Sequence, residues 1–296
     1  MMQTSDAAVT AGPAPGHFVL ILSCPDRSGI VHAVTGFLVE RHGNIVESQQ
    51  FGDQLTDRFF MRIDFVVPGA ATAESLGGEF AAVADRFGMD FELRSADAPY
   101  RTLILVSKHL HCLNDLLFRA STGALQIEIP AVVSNHPDAG PLVRSYGLDF
   151  HHVPVTPETK ADAEKRLLEI VDETGTHLVV LARYMQVLSD DLCRRLSGHA
   201  INIHHSFLPS FKGARPYHQA FDRGVKLVGA TAHYVTAELD EGPIIEQDVV
   251  RVDHTDREGQ LVAAGRDVEA QVLARAVRWH AQSRILLNGE RTVVFR

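Results

Sequence analysis

Residues 201–209 read Ile201-Asn202-Ile203-His204-His205-Ser206-Phe207-Leu208-Pro209, the most informative segment of the chain. The segment opens as a predicted strand, in which side chains two residues apart project from the same face. Asn202 and His204 therefore share one face, and Ile201 and Ile203 point into packing on the other. An amide beside an imidazole at a strand end can stabilise an oxyanion and donate a proton. Taken alone, the spacing of Asn202 and His204 favours a simpler interpretation, in which both are polar residues at the edge of a sheet with their hydrogen bonds satisfied.

A second segment whose side chains could take part in catalysis is the acidic turn Glu238-Leu239-Asp240-Glu241-Gly242-Pro243, between two apolar predicted strands. In one interpretation Asp240 faces His204, so that each group shifts the pKa of the other and the pair holds a proton near neutral pH. His233, on the preceding strand, would line the same pocket. A solvated loop is the alternative, because the sequence does not show that these groups converge.

The chain from residue 98 to 296 alternates predicted strands and helices. RTLILVS (101–107) is apolar without alternation, which is typical of a strand buried on both faces. IEIPAVVSN (127–135) is predicted as one further strand, and a long helix is predicted from about Arg257 to Arg284. Such alternation predicts an α/β domain with an open, mostly parallel, Rossmann-like sheet and helices on both faces. Ligands of such sheets bind beyond the carboxyl ends of the strands.

Residues 17–97 follow a different order, strand-helix-strand-strand-helix-strand. The predicted first helix places Ile30, Val34, Phe37 and Leu38 at helical spacing. The βαββαβ order predicts a small ferredoxin-like split sheet with two helices on one face.

This N-terminal unit resembles the ACT domain, a regulatory module that binds small ligands, often amino acids, between two copies. The resemblance is sharpest where PDRSGIV (25–31) is followed by GNIVES (43–48). It implies a homo-oligomer and a small amino-acid effector whose contacts would be Asp26, Ser28, Gly29, Ile30 and Asn44. The same residues also fit a tight turn with a helix cap, in a module that only holds two copies together. Ligand binding and a purely structural, dimerising role therefore both remain open.

The C-terminal unit resembles the folate-dependent formyltransferase fold, through NIHHSFLPSFKGA (202–214) and GATAHYVTAELDEGPII (229–245). Glycinamide ribonucleotide formyltransferases carry a similar Asn-x-His strand and Asp-x-Gly loop. The resemblance implies that Asn202, His204 and Asp240 are the catalytic residues. His205 stands where the transferases commonly have Pro, and no role is assigned to it.

The segment LARYMQVL (181–188) resembles the strand and turn that contact the pterin in the same fold. Backbone groups around Gln186 and Leu188 would then bond the pterin ring. The folate-contacting residues implied by the resemblance are Arg183, Met185, Gln186, Val187, Leu188, His233 and Glu238. The start of an amphipathic helix is the alternative interpretation of this segment.

Two features favour hydrolysis over transfer. The loop after the first strand, residues 107–115, lacks the glycine-rich turn with which the transferases bind an acceptor phosphate, although Lys108 could still attract an anion. An ACT-like unit ahead of this fold, together with HCLNDLL (111–117) and DEGPIIEQDV (240–249), is similar to formyltetrahydrofolate deformylases. That family resemblance implies hydrolysis of 10-formyltetrahydrofolate to formate and tetrahydrofolate, which supplies formate for purine synthesis and balances folate pools.

Two other functions remain as alternatives. One is a formyltransferase to a small amine acceptor that uses the same three residues. The other is a non-catalytic folate or amino-acid sensor, against which the complete set of Asn202, His204 and Asp240 argues.

Composition limits the remaining possibilities. The chain has 296 residues and a formal charge of −9 without a basic block, so neither nucleic acid nor an anionic membrane is an expected partner. Its three cysteines, Cys24, Cys112 and Cys193, form no CxxC pair, which favours a reducing cytoplasm and no structural metal. Residues 1–16 lack signal-peptide features and are predicted to be a disordered leader. We expect no metal and no prosthetic group.

Overall fold

A computed structural model describes residues 15–209 and 216–296. The chain divides into two compact units, one ending at Ala98 and the other running from Pro99 to Val294. The predicted leader falls mainly on residues 1–14, which lie outside the described residues, and the first strand begins at Gly16. The SFKGA part of the sequence resemblance (210–214) also lies outside them.

The first unit has the predicted βαββαβ order. Its elements are β1 (Gly16–Pro25), α1 (Ile30–Val39), β2 (Asn44–Asp53), β3 (Arg58–Val67), α2 (Ala73–Phe87) and β4 (Asp90–Ser95). The strands pair antiparallel in the order β2-β3-β1-β4. Alternate residues of β1, Phe18, Leu20 and Leu22, pack with Val34 of α1 and Phe80 of α2 in one apolar core. The split-sheet prediction is therefore confirmed.

The second unit alternates strands and helices before it ends in a hairpin. Its elements are β5 (Tyr100–Val106), α3 (His111–Ser121), β6 (Ile127–Glu128), β7 (Ala131–Ser134), α4 (Gly140–Ser145), β8 (Asp149–His152), α5 (Lys160–Glu173), β9 (Leu178–Leu181), α6 (Asp190–Arg195), β10 (Ala200–His204), α7 (Pro216–Asp222), β11 (Leu227–Tyr234), β12 (Ile244–Arg251), α8 (Glu258–Ala281), β13 (Ile285–Asn288) and β14 (Arg291–Val294).

The main sheet of this unit has the order β12-β11-β10-β9-β5-β7-β8. Strands β10, β9, β5, β7 and β8 pair parallel, and β11 and β12 extend the sheet antiparallel. The prediction of an open, mostly parallel sheet is confirmed.

Strand β5 explains why the sheet is covered on both faces. Ile104 and Val106 belong to the apolar core that includes α3 and α8, whereas Leu103 and Leu105 belong to the core that includes α5 and α6. Because successive side chains alternate between faces, an uninterrupted apolar strand contributes to both cores.

The structure differs from the sequence prediction at one strand and at two helices. The single strand predicted for residues 127–135 is divided into β6 and β7, because Pro130 has no N–H to donate to a sheet ladder. Helices α6 and α7 are short and were not predicted, since six or seven residues give too little periodicity to recognise. Within the described ranges, no helix has the length and apolar character needed to cross a membrane.

The prediction for the fold concerns Leu105, which is fully buried between the sheet and α5. Leu105→Ala is expected to lower the free energy of unfolding by about 2–5 kcal/mol, because it removes buried methyl groups and leaves a cavity. Trp279, the only tryptophan, lies on α8, so its fluorescence during urea unfolding reports on this unit. Leu287→Ala is the control, since Leu287 is 44% exposed. Equal urea midpoints for both variants would contradict the packing described.

Candidate active site

A cavity of about 290 Å³ lies at the carboxyl ends of β9 and β10. Most residues predicted to contact folate line it, together with the three predicted catalytic residues. Among its lining residues are Arg183, Met185, Gln186, Val187, Leu188, Asn202, His204, His233 and Asp240. Glu238 does not line this cavity, because the turn directs its neighbours Leu239 and Asp240 there instead. Because residues predicted to contact folate line it, we refer to this space as the folate cavity.

The acidic turn brings Asp240 to His204, as the sequence predicted. The Asp240 Oδ1 atom lies 3.2 Å from His204 Nδ1 and 3.7 Å from His233 Nε2. Burial raises the pKa of Asp240, but the hydrogen bond from His204 and the nearby imidazoles outweigh burial and hold it below its usual range. Asp240 is therefore an ionised acceptor for the His204 Nδ1–H group at neutral pH.

The ring of His204 presents its second nitrogen to the site. His204 is 5% exposed, and its Nε2 atom is buried without a hydrogen-bond partner among the described residues. A buried polar atom without a partner costs free energy, which a bound ligand can recover. Because Nδ1 is engaged by Asp240, Nε2 is the atom that a substrate can contact.

The orientation of the Asn202 amide is set by His233. These residues face each other in the antiparallel pair of β10 and β11, and Asn202 Nδ2 lies 3.1 Å from His233 Nε2. His233 Nδ1 lies 2.9 Å from the carbonyl oxygen of Tyr234, so Nδ1 carries the proton and Nε2 accepts. Burial lowers the pKa of His233, which keeps the ring neutral. Asn202 is thereby fixed with one amide hydrogen left for a ligand.

The 181–188 segment continues from β9 as irregular backbone and then leads into α6. Within the described part of the chain, the backbone N–H groups of Gln186 and Leu188 have no hydrogen-bond partner. The N–H of Met185 is bonded to Ser107 Oγ, which fixes the start of the turn. The side chains of Met185 and Val187 are more than half exposed. The turn thus offers backbone donors flanked by apolar side chains, an arrangement suited to a flat heterocycle.

Two side chains of the site stand on left-handed backbone. Arg183 has φ 65° and Asp240 has φ 58°, a conformation that costs roughly 1–3 kcal/mol for residues other than glycine. Gly242 allows the acidic turn to close, because a Cβ atom there would lie 1.8 Å from the carbonyl oxygen of Tyr234. The turn that carries Asp240 is therefore held in place by tight packing against the end of β11.

His205 borders the same cavity from the next position along the chain. Its ring centroid lies 5.2 Å from that of His204. Burial, and after it the charge of Arg183, lowers the pKa of His205 to about 3. His205 is therefore a neutral imidazole at physiological pH.

A buried ion-pair network next to the cavity was not predicted from the sequence. Glu269 on α8 is 1% exposed, and it accepts hydrogen bonds from Tyr217 Oη at 2.6 Å and from His111 Nε2 at 2.8 Å. Arg183 Nε lies 3.3 Å from the same carboxylate. Burial raises the pKa of Glu269, but the bond from His111 and the charge of Arg183 outweigh it and hold the pKa below its usual range. No local pattern marked a buried carboxylate within a long helix.

Part of this network has the composition of a metal site. The possible ligand atoms of His111, Cys112 and Glu269 lie within 4.8 Å of one another. His111 already donates to Glu269, and the Arg183 guanidinium lies beside the same carboxylate. Burial raises the pKa of Cys112 well above its ordinary value, so the sulfur is a neutral thiol. These properties favour a hydrogen-bonded ion pair over a cation site, and the expectation of metal-free catalysis remains a prediction.

The predicted effector residues do not come together within one copy of the chain. Asp26, Ser28 and Gly29 connect β1 to α1, whereas Asn44 begins β2. Along β3, Pro25 pairs with Arg58 and Asn44 pairs with Val66, which places the two segments roughly 26 Å apart at about 3.3 Å per residue. The two segments lie before and after α1 and so fall towards opposite ends of the sheet. Within one copy the two segments therefore do not meet, and an effector site that uses both, between two copies, stays a prediction.

The first prediction for the site is that Gly242→Ala lowers both turnover and stability. The added Cβ forces the backbone after Asp240 away from Tyr234, which lengthens the distance between Asp240 and His204. We expect a loss of at least about tenfold in kcat, since a misplacement of about 1 Å can cost about 10²-fold. Gly259→Ala is the control, because nothing lies within 4 Å of a Cβ there. Parent kcat in Gly242→Ala would contradict the role given to the turn.

The second prediction concerns acid stability and His205. The folded pKa of about 3 lies below the unfolded value of about 6.5, so the unfolded state binds the additional proton between these values. The stabilising contribution is complete above about pH 6.5 and is lost as the pH falls towards 3. His205→Asn should reduce the pH slope of the unfolding free energy by up to about 1.4 kcal/mol per pH unit in this window.

Urea unfolding followed by Trp279 fluorescence at several pH values measures this slope. His254→Asn, at an exposed loop position, is the control and should keep the parent slope. Parallel curves for the parent and His205→Asn would show that His205 is not buried as a neutral ring.

Comparison with known proteins agrees with both units. Residues 100–277 match the formyl transferase family, and residues 18–83 match the ACT domain family. Formyltetrahydrofolate deformylase from Corynebacterium sp. (strain P-1) is 58% identical over 94% of this chain and 98% of its own length. The corresponding protein from Bacillus subtilis (strain 168) is 48% identical over 93% of each chain.

A solved structure gives the same result in three dimensions. The crystal structure of formyltetrahydrofolate deformylase from Burkholderia mallei superposes with a TM-score of 0.91 at 52% identity, covering 95% of this chain and 100% of that chain. The similarity extends across both units and is not limited to the formyl transferase region. The chain belongs to the formyltetrahydrofolate deformylase family, in which an ACT domain precedes a formyl transferase domain.

Proposed function

We propose that the chain hydrolyses 10-formyltetrahydrofolate to formate and tetrahydrofolate, with Asn202, His204 and Asp240 as the catalytic residues. The observation that carries the proposal is the 3.2 Å contact between Asp240 and His204, which leaves His204 Nε2 buried at the folate cavity with no hydrogen-bond partner among the described residues. High identity to deformylases along most of the chain supports the same reaction.

The substrate is positioned by the 181–188 turn. The free N–H groups of Gln186 and Leu188 would bond the edge of the pterin, while Met185 and Val187 cover its faces. The N10 formyl group would then lie near Asn202 and His204 at the end of β10. Such positioning converts attack by a bound water into a step within one complex, which lowers the entropic part of the barrier.

The chemical step needs a water molecule as acceptor. Asp240 orients this water and takes up part of its proton as the oxygen attacks the formyl carbon. Negative charge develops on the formyl oxygen, where the free amide hydrogen of Asn202 and a proton on His204 Nε2 stabilise it. The proton that Asp240 took from water is then delivered to N10, which allows the C–N10 bond to break and leaves Asp240 ionised again. The products are tetrahydrofolate and formic acid, which loses its proton to water. Every step of this scheme uses protein side chains and water, so it requires no prosthetic group.

Transfer to an amine acceptor is less well supported. The loop after β5, including Lys108 and His109, has no glycine at which the backbone could closely approach a phosphate. Release of formate in buffer without any amine distinguishes hydrolysis from transfer. Formation of product only when an amine is added would instead identify a transferase.

The remaining proposals concern location and regulation. All three cysteines are buried and unpaired, which supports the cytoplasmic location that we propose. The ACT domain supports control by a small effector, for which we propose an amino acid bound between copies of a homo-oligomer. Such a site would not require Asp26 and Asn44 to meet in a single copy.

The prediction for function is that Asp240→Asn keeps the fold and loses most turnover. The amide cannot accept a proton from water, and general acid–base help is typically worth about 10²–10⁴ in rate. Formate and tetrahydrofolate are measured after incubation with 10-formyltetrahydrofolate. Glu241→Gln removes an exposed carboxylate of the same turn and should retain the parent rate. Parent turnover in Asp240→Asn would refute the role assigned to Asp240.

A further inference from the structure

A second cavity, of about 520 Å³, lies beside the folate cavity. His109, His111, Tyr217 and Arg266 are among the residues that line it. Two side chains, Arg183 and His205, line both cavities and so form a common wall between them. We call the space lined by His109, His111, Tyr217 and Arg266 the second cavity. His205 follows the catalytic His204 directly, so the wall lies next to the reacting centre.

The guanidinium of Arg183 is the unusual feature of this wall. Arg183 is 8% exposed, and neither its Nε nor one of its terminal nitrogens, Nη1, has a hydrogen-bond partner among the described residues. Glu269 lies 3.3 Å from Nε without the alignment of a hydrogen bond. Burying charged donors without hydrogen-bond partners is costly, even when an ion pair balances the charge. A small planar carboxylate, which accepts parallel N–H bonds, is the ligand that best satisfies a guanidinium.

The carboxylates of the second cavity are engaged by other donors and do not supply the acceptors that Arg183 lacks. Glu269 already accepts from Tyr217 and His111, and at the rim Glu258 is paired with His218 at 2.9 Å. Arg266 is exposed and has no partner within the described ranges. Both carboxylates therefore have hydrogen-bond donors, whereas Nε and Nη1 of Arg183 have no acceptor among the described residues.

We propose that the second cavity binds the formate anion produced at the active site and releases it to solvent while tetrahydrofolate still occupies the folate cavity. This inference rests on the proposed function for the identity of the anion. Formate is formed beside the ionised Asp240, which repels it, and Arg183 in the common wall attracts it. His205 is neutral and adds no charge to the passage.

The test measures formate binding separately from turnover. ¹³C-formate is titrated into the full chain, alone and saturated with tetrahydrofolate, and its NMR line width is followed. We expect the two Kd values to agree within about twofold, because tetrahydrofolate and formate would occupy different cavities. Competition between formate and tetrahydrofolate for one site would overturn the inference.

Two arginine variants locate the anion. Arg183→Gln should weaken formate binding by about tenfold or more, because a charged hydrogen-bond donor is lost. Trp279 fluorescence of this variant is compared with that of the parent, which separates a loss of binding from a loss of folding. Arg266→Gln, at an exposed helix position, should weaken binding about threefold through loss of a screened charge. Arg291→Gln, on the exposed hairpin, is the matched control and should leave the Kd unchanged. Unchanged formate Kd values in both test variants would overturn the inference.

The outcomes separate this inference from the proposed function. Turnover of 10-formyltetrahydrofolate without measurable formate binding overturns the second-cavity site alone. Formate binding that depends on Arg183 and Arg266, without turnover, supports the anion site and overturns the proposed function. An added amine that enters the second cavity and captures the formyl group overturns both.

Discussion

A partly buried carboxylate beside a buried imidazole is the constraint around which the catalytic unit is built. Desolvation opposes the charge of Asp240, so the charge persists only because His204 donates to it at 3.2 Å. This contact requires the turn between β11 and β12 to approach the end of β10. Gly242 permits that approach by lacking a side chain against Tyr234. Backbone packing thereby determines the ionisation state of Asp240, the group proposed to orient the attacking water.

The sheet supplies the precision of the site. Asn202 and His204 share a face of β10, and the register with β11 places His233 opposite Asn202. Burial keeps His233 neutral, so it accepts from the amide and does not compete as a cation. Behind them, Ile201 and Ile203 are buried in the core beneath α8. Polar side chains at a strand end are thus supported by apolar packing that limits their movement.

A buried network of charged groups lies beside the proposed catalytic residues. Glu269 on α8 gathers Tyr217, His111 and Arg183 around one buried carboxylate. Removing Arg183 would leave the buried charge of Glu269 without its cation, and removing Tyr217 or His111 would take away a hydrogen-bond donor, so the members of this set depend on one another. Arg183 also borders both cavities, so it connects this network to the folate cavity. The same side chain therefore has a structural partner on one side and room for a ligand on the other.

Local sequence pattern was sufficient for the two fold classes and for the shared face of Asn202 and His204, because strand and helix periods act over a few residues. The approach of Asp240 was anticipated through family resemblance. The Glu269 network, the tautomer of His233 and the separation of Asp26 from Asn44 were decided only by tertiary structure. Each depends on strand register or helix packing between residues distant in the chain, where periodicity carries no information about which side chains meet.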